Sequence, residues 1–140
     1  MFLDQTTAEF ALRLILAAGL GAVVGVEREM AHKPAGLRTH MLISLGAALF
    51  AVTSILNFGS SDVARVVANI VVGIGFVGAG SIIALRGHVQ GITTAASLWT
   101  VAAIGFAAGM GNYIIAVFAA ILVFIILQIR VVEKVIARKK

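Results

Sequence analysis

The chain has 140 residues, 61% of them hydrophobic and 12% charged, with a mean hydropathy of +1.08 and a formal charge of +5. Soluble domains carry about 25% charged residues, so this composition excludes a water-soluble globular protein and makes the bilayer the solvent. Cysteine is absent, which excludes disulfides and thiolate chemistry, and 140 residues leave no room for a separate catalytic domain beside a membrane domain.

Five apolar segments, at about 10–26, 41–57, 62–85, 94–110 and 113–132, predict an all-α, polytopic membrane protein with one transmembrane domain over residues 1–140. The residues from Met1 to Glu9 lack the positive charge and cleavage site of a signal peptide, so the first segment is expected to be retained as a helix. Gly21 and Gly25 in that segment stand four apart, the spacing at which membrane helices approach closely.

A polar island, Glu27 to His40, follows the first segment and holds five charges, two of the three histidines and the single proline. Polar side chains in so apolar a chain must meet water or a partner. Pro34 and Gly36 mark a turn, so the flanking helices return antiparallel. Glu27 and Glu29 lie at the carboxyl end of the first helix, where the macrodipole disfavours anions. They therefore call for cationic partners, with Arg28, Arg38 and Arg86 the candidates. Thr39 and His40 complete the polar set, which reads equally as a functional site or as a latch joining loops. A hard cation such as magnesium would have to be held by Glu27 and Glu29, a weak candidate site. His32, His40 and His88 fall on the same side and read as interfacial residues, with pH sensing or metal binding as the alternative.

The second segment is short for a span and borrows polar residues at its ends. Before the third, Asp62 is placed to cap the helix and Arg65 to pair with it one turn on. Within the third stand Gly73, Gly75, Gly78 and Gly80. The run Gly73 to Gly78 spells a dinucleotide fingerprint, but no acid occurs between Asp62 and Glu133, so that reading fails. The glycines serve helix packing, with a bent helix lining a cavity as the alternative. Thr93, Thr94, Ser97 and Thr100 place four hydroxyls on two turns at the start of the fourth segment. Threonine is the expected cap there, and interhelical hydrogen bonding the expected use of the others. Gly105 and Gly109 repeat the four-residue spacing, and Trp99 and Tyr113 suit interfacial anchors.

With the amino terminus outside, Lys and Arg divide nine inside to two outside, Arg13 and Arg65 being the outer pair. That bias puts the carboxyl terminus and the basic tail 133–140 on the cytoplasmic side, against lipid headgroups rather than nucleic acid. No carboxylate stands at mid-depth, where cation carriers usually keep one. No nucleophile and base stand at a spacing that suggests an enzyme.

Taken in order, the segments Glu27-Arg28-Glu29, Lys33 to His40, Leu45-Gly46-Ala47, Asp62 to Arg65, Gly73 to Gly80, Gly91 to Trp99 and Ala103 to Gly105 resemble the transmembrane domain of the MgtC/SapB family over residues 10–112. The resemblance implies a bacterial inner-membrane protein, grouped with adaptation to low magnesium, acid stress or survival inside host cells. It also implies action through membrane partners, such as the proton-driven ATP synthase. Ending at the basic tail, the chain is similar to the short, SapB-like form without a carboxyl-terminal regulatory domain. Asn69 stands where the family pattern suggests glutamine. The reading preferred from the sequence is a non-enzymatic, homo-oligomeric membrane regulator without a cofactor, whose polar inner face binds a partner or responds to ions. The alternative is a transporter or channel for magnesium or protons.

Overall fold

The computed structural model of the chain describes residues 5–57, 60–85 and 88–137. Its elements in order are α1 (Gln5–Met30), α2 (Leu37–Asn57), α3 (Ser60–Gly80), β1 (Ile83–Leu85), β2 (His88–Gln90), α4 (Ile92–Gly109) and α5 (Tyr113–Ala137). Four of the five helices, Thr6–Met30, Leu37–Asn57, Asp62–Gly80 and Ile92–Gly109, are long and apolar enough to cross a membrane. The apolar part of α5, Tyr113–Ile129, is shorter.

Helix ends follow local chemistry. α1 runs through Glu27 and Glu29 and closes at Met30 in a Schellman turn, in which His32 N–H donates to Glu29 O (2.9 Å) and Lys33 N–H to Arg28 O (3.0 Å). His32 takes the left-handed position of that turn, with φ 53°, a place usually given to glycine. The same motif ends α4 with Gly111 (φ 85°) in the left-handed position and Asn112 N–H on Ala107 O (2.9 Å). α2 begins at Leu37 and so takes in Thr39 and His40; its 21 residues give about 31 Å of helix, enough to span.

Three expectations are corrected. The third helix stops at Gly80 rather than continuing to 85. Ser81 turns its N–H (3.0 Å) and its hydroxyl (2.7 Å) onto Gly78 O, which closes the helix in a tight turn. Beyond it, β-branched Ile82 and Ile83 lead into a hairpin that pairs Ile83 with Gln90 and Leu85 with His88. The fourth helix is entered not by a threonine cap but through Gly91, at φ 93° and without any side-chain cap; a Cβ there would lie 2.0 Å from Ser81 O, so only glycine fits. α3 begins at Ser60, so Asp62 sits inside its first turn rather than at the cap, and there it pairs with Arg65.

The core is made by α1, α2, α4 and α5. Ala17, Leu20 and Val24 of α1 meet Ala48 of α2, Val101, Ile104 and Ala108 of α4, and Ala116 and Ala120 of α5. Small residues set the spacing. A Cβ on Gly21 would lie 2.7 Å from His40 O, and one on Gly105 would lie 2.0 Å from Ser44 O, so α2 is gripped between α1 and α4 at backbone contact. α3 is the least buried of the four spans. It is one continuous helix from Ser60 to Gly80, unbroken at its glycines.

A buried polar latch at the island end

The close approach of α1, α2 and α4 carries polar side chains into the protein interior at one end of the bundle. Arg28 is 1% exposed and Glu27 5%; among the described residues they are the buried charged side chains. They pair with each other, the Arg28 guanidinium placing both Nε and Nη2 on Glu27 Oε2. Two adjacent residues on one helix thus neutralise each other where neither reaches water, an arrangement that survives desolvation only as a pair.

Glu29, exposed at the rim, uses a different partner from the one its position on α1 suggests. Its Oε2 accepts the Leu37 N–H at 3.0 Å, the first backbone donor of α2. The misfit at the carboxyl end of α1 is offset by the amino end of α2, where unpaired N–H groups and the positive pole of the macrodipole favour an anion. Gly36 makes this possible, since a Cβ on it would fall 1.7 Å from the same carboxylate oxygen.

His40, fully buried, joins α2 to α4. Its Nδ1 donates to Gly36 O at 2.9 Å, and its Nε2 lies 3.0 Å from Ser97 Oγ. The Ser97 hydroxyl also lies 2.8 Å from Thr94 O on its own helix. A serine has one proton to give, so it serves either the ring nitrogen or that carbonyl. With a neutral ring the hydroxyl points to Nε2; with a protonated ring Nε2 donates and the hydroxyl turns to Thr94 O. Both states keep the buried ring satisfied. Ser44, one turn on from His40, donates to Ala17 O at 2.6 Å and ties α2 back to α1.

The candidate polar set is therefore divided. Glu27, Arg28, Glu29 and His40 come together with Thr94 and Ser97. Arg38 is exposed and makes no ion pair among the described residues, and Thr39, half-buried, takes no part in the hydrogen bonding, so both leave the network. Arg86 lies outside the described residues. Thr93 is exposed, and Thr100 folds its hydroxyl onto Ala96 O (2.8 Å). Of the third-helix glycines, Gly78 faces Ala95, where an added Cβ would lie 3.5 Å from the Ala95 Cβ, whereas Gly73, Gly75 and Gly80 face open space. A magnesium cage does not fit here: Glu27 is committed to Arg28 and Glu29 to the α2 backbone, and no three His, Asp or Glu side chains gather among the described residues.

A second cluster closes the opposite end. Arg13 donates to Gly109 O at 3.0 Å, pairs with Glu9, and lies over the rings of Phe10 (5.1 Å) and Tyr113 (5.9 Å), fastening α1 to the turn between α4 and α5. The four-residue spacing of Glu9 and Arg13 was visible in the sequence; their docking on Gly109 was not. Ser44 gives no signal as an anchor, because a lone serine in an apolar run has none until its partner helix is placed; Ser97, named above among the hydroxyls expected to bond a neighbouring helix, lies 3.0 Å from His40 Nε2.

The MgtC family model matches residues 14–135. A protein of Escherichia coli K12 named "Putative magnesium transporter YhiD" is 41% identical over 133 residues, covering 88% of this chain and 61% of its own. Protein MgtC of Brucella abortus is 50% identical over 92 residues (66% of this chain, 39% of its own), and Protein MgtC of Salmonella typhimurium 42% over 114 residues (81% and 49%). The chain thus spans less than two thirds of the length of these relatives. No solved structure matches it. The island motif, the apolar helices and this similarity over most of the chain agree: the chain belongs to the MgtC family and is a multi-pass protein of the bacterial inner membrane.

Proposed function

We propose that this chain is a non-enzymatic regulator of membrane or ion homeostasis, serving adaptation to low magnesium, acid stress or life inside a host, through the face that carries the island. The positive-inside bias supports placing that face in the cytoplasm. The observation that carries the reading is the distribution of polarity through the bundle. Among the described residues, charged side chains are buried only at the island end, and there they are paired. Between the two ends the core is Ala, Val, Leu and Ile, with Ser44 and Ser54 both bonded to backbone carbonyls. A hydrated ion crossing such a core would meet no ligand.

The latch holds the island in a fixed shape and presents Met30, His32, Lys33, Pro34 and Arg38 on its outside. A rigid, basic, partly apolar surface of this kind suits a membrane-protein partner. A small-ion transporter is the second reading, favoured by the name given to YhiD. Flux of magnesium and protons into liposomes, measured alongside cross-linking in native membranes on the wild type, Glu27→Gln and Arg38→Ala, separates the two. Capture of a partner that Arg38→Ala weakens, without flux above empty liposomes, is the expected result. Flux above empty liposomes in the wild type would overturn the proposal in favour of transport.

A further inference from the structure

α3 is the least buried of the four spans, yet it carries an exposed amide, Asn69, among apolar residues. Asn69 lies seven residues beyond Asp62 in the span Asp62–Gly80, about 10 Å along the helix from that end and about 16 Å from the other. It is therefore within the hydrocarbon layer. Its side chain is exposed and makes no hydrogen bond to any described residue. It stands on the rim of an apolar groove of about 540 Å³ between α2 and α3, lined by Gly46, Phe50, Ile70, Gly73 and Ile74 over a floor of Ala47 and Ala102. A Cβ added to Gly46, Gly73 or Gly80 would touch nothing within 4 Å. Among the described residues these glycines are not used by packing, unlike Gly21 and Gly105.

We propose that this face of α3 is the interface between two copies of the chain, with Asn69 of one copy hydrogen-bonded to Asn69 of the other. An unpaired amide in hydrocarbon is costly, and a lipid tail would fill the groove while leaving the amide without a partner. A second copy supplies what is missing. Copies inserted in the same orientation are related by an axis along the membrane normal, which keeps each residue at the same depth in both. Asn69 then faces its own equivalent, and a carboxamide is self-complementary, donating through nitrogen and accepting through oxygen. Asn69, Gly73, Phe76 and Gly80 recur at intervals of four, three and four residues, which places them on one stripe of the helix. The glycines allow close backbone approach, and Phe76, 84% exposed, has the room beside the facing glycines for its ring. The interface holds for either functional reading, since it concerns only how copies meet.

Because the chain has no cysteine, single cysteines report the contact without background. Gly73→Cys and Phe76→Cys on α3, and Ile114→Cys and Ile121→Cys on the exposed face of α5, are oxidised in native membranes with the full chain. Cross-linked dimers from the α3 positions and not from α5 are expected. Self-association of the labelled chain in nanodiscs or liposomes, followed by energy transfer, should weaken about three- to thirtyfold in Asn69→Leu, the range set by one interhelical hydrogen bond, and stay near wild type in Asn69→Gln. Helicity by circular dichroism checks that each variant is folded, and Gly73→Leu replaces Asn69→Leu if the latter is not. Dimers formed equally from α5, α3 adducts of another protein or of lipid alone, or undiminished association in a folded Asn69→Leu chain would each overturn the proposal.

Discussion

At the scale of single residues, the island end is governed by pairings that leave little slack. Arg28 and Glu27 are buried together, so removing one charge strands the other. Glu27→Gln is expected to destabilise the bundle by about 3–5 kcal/mol, whereas the double change Glu27→Leu with Arg28→Met should recover most of that loss. Reversible unfolding in mixed micelles measures both, and a single variant as stable as wild type would show that the pair is hydrated. Glu29 and Gly36 act as one unit, since the carboxylate occupies the space that a Cβ on Gly36 would need while capping α2. Glu29→Gln and Gly36→Ala should each cost about 1 kcal/mol through the same lost cap, and the double variant little more than either alone. Full additivity in that cycle would disprove the shared mechanism.

At the scale of elements, glycines with the same residue name have opposite roles. A Cβ on Gly105 would meet the α2 backbone at 2.0 Å, and a backbone atom cannot rotate away. Gly105→Ala should therefore separate α2 from α4 and cost at least about 1–3 kcal/mol, stretching the contact of His40 with Ser97 as well. Gly75 has nothing within 4 Å and lies off the stripe of Asn69 and Gly73, so Gly75→Ala should be neutral or stabilise α3 by up to about 1 kcal/mol. Thermal unfolding in one detergent compares the two; a reversed order would mean that α2 and α4 do not touch where Gly105 places them. Spacing alone did not separate these cases. Gly105 with Gly109 and Gly73 with Gly75 are all glycines in apolar runs, and only the placement of α2 shows which are covered.

At the scale of the whole molecule, two polar clusters fasten opposite ends of an apolar bundle. Glu27, Arg28, Glu29 and His40 join α1, α2 and α4 at one end; Arg13 joins α1 to the turn before α5 at the other. The nine-to-two division of basic residues predicts that the island end faces the cytoplasm. In sealed inverted vesicles, Lys33→Cys should react with a membrane-impermeant maleimide and Asn112→Cys should not, with the pattern exchanged in right-side-out spheroplasts. The opposite labelling would place the island outside and remove the basis for a cytoplasmic partner.

Composition, run length and charge were enough to establish a bundle of membrane helices, the turn at Pro34 and Gly36, and the island as its polar focus, because hydrophobic transfer and helix-end electrostatics act locally along the chain. They also placed a cation beside Glu27, since Arg28 is its neighbour. Glu29 takes the Leu37 N–H in place of a cation because a helix amino terminus eight residues away competes with any side chain, and the charge pattern along the chain weighs only the helix on which the residue lies. The meeting of His40 with Ser97, 57 residues apart, and of Arg13 with Gly109, 96 apart, depended on which helices pack together. That choice belongs to tertiary structure, because it rests on the fit of small residues between helix surfaces, and no single segment carries both sides of that fit.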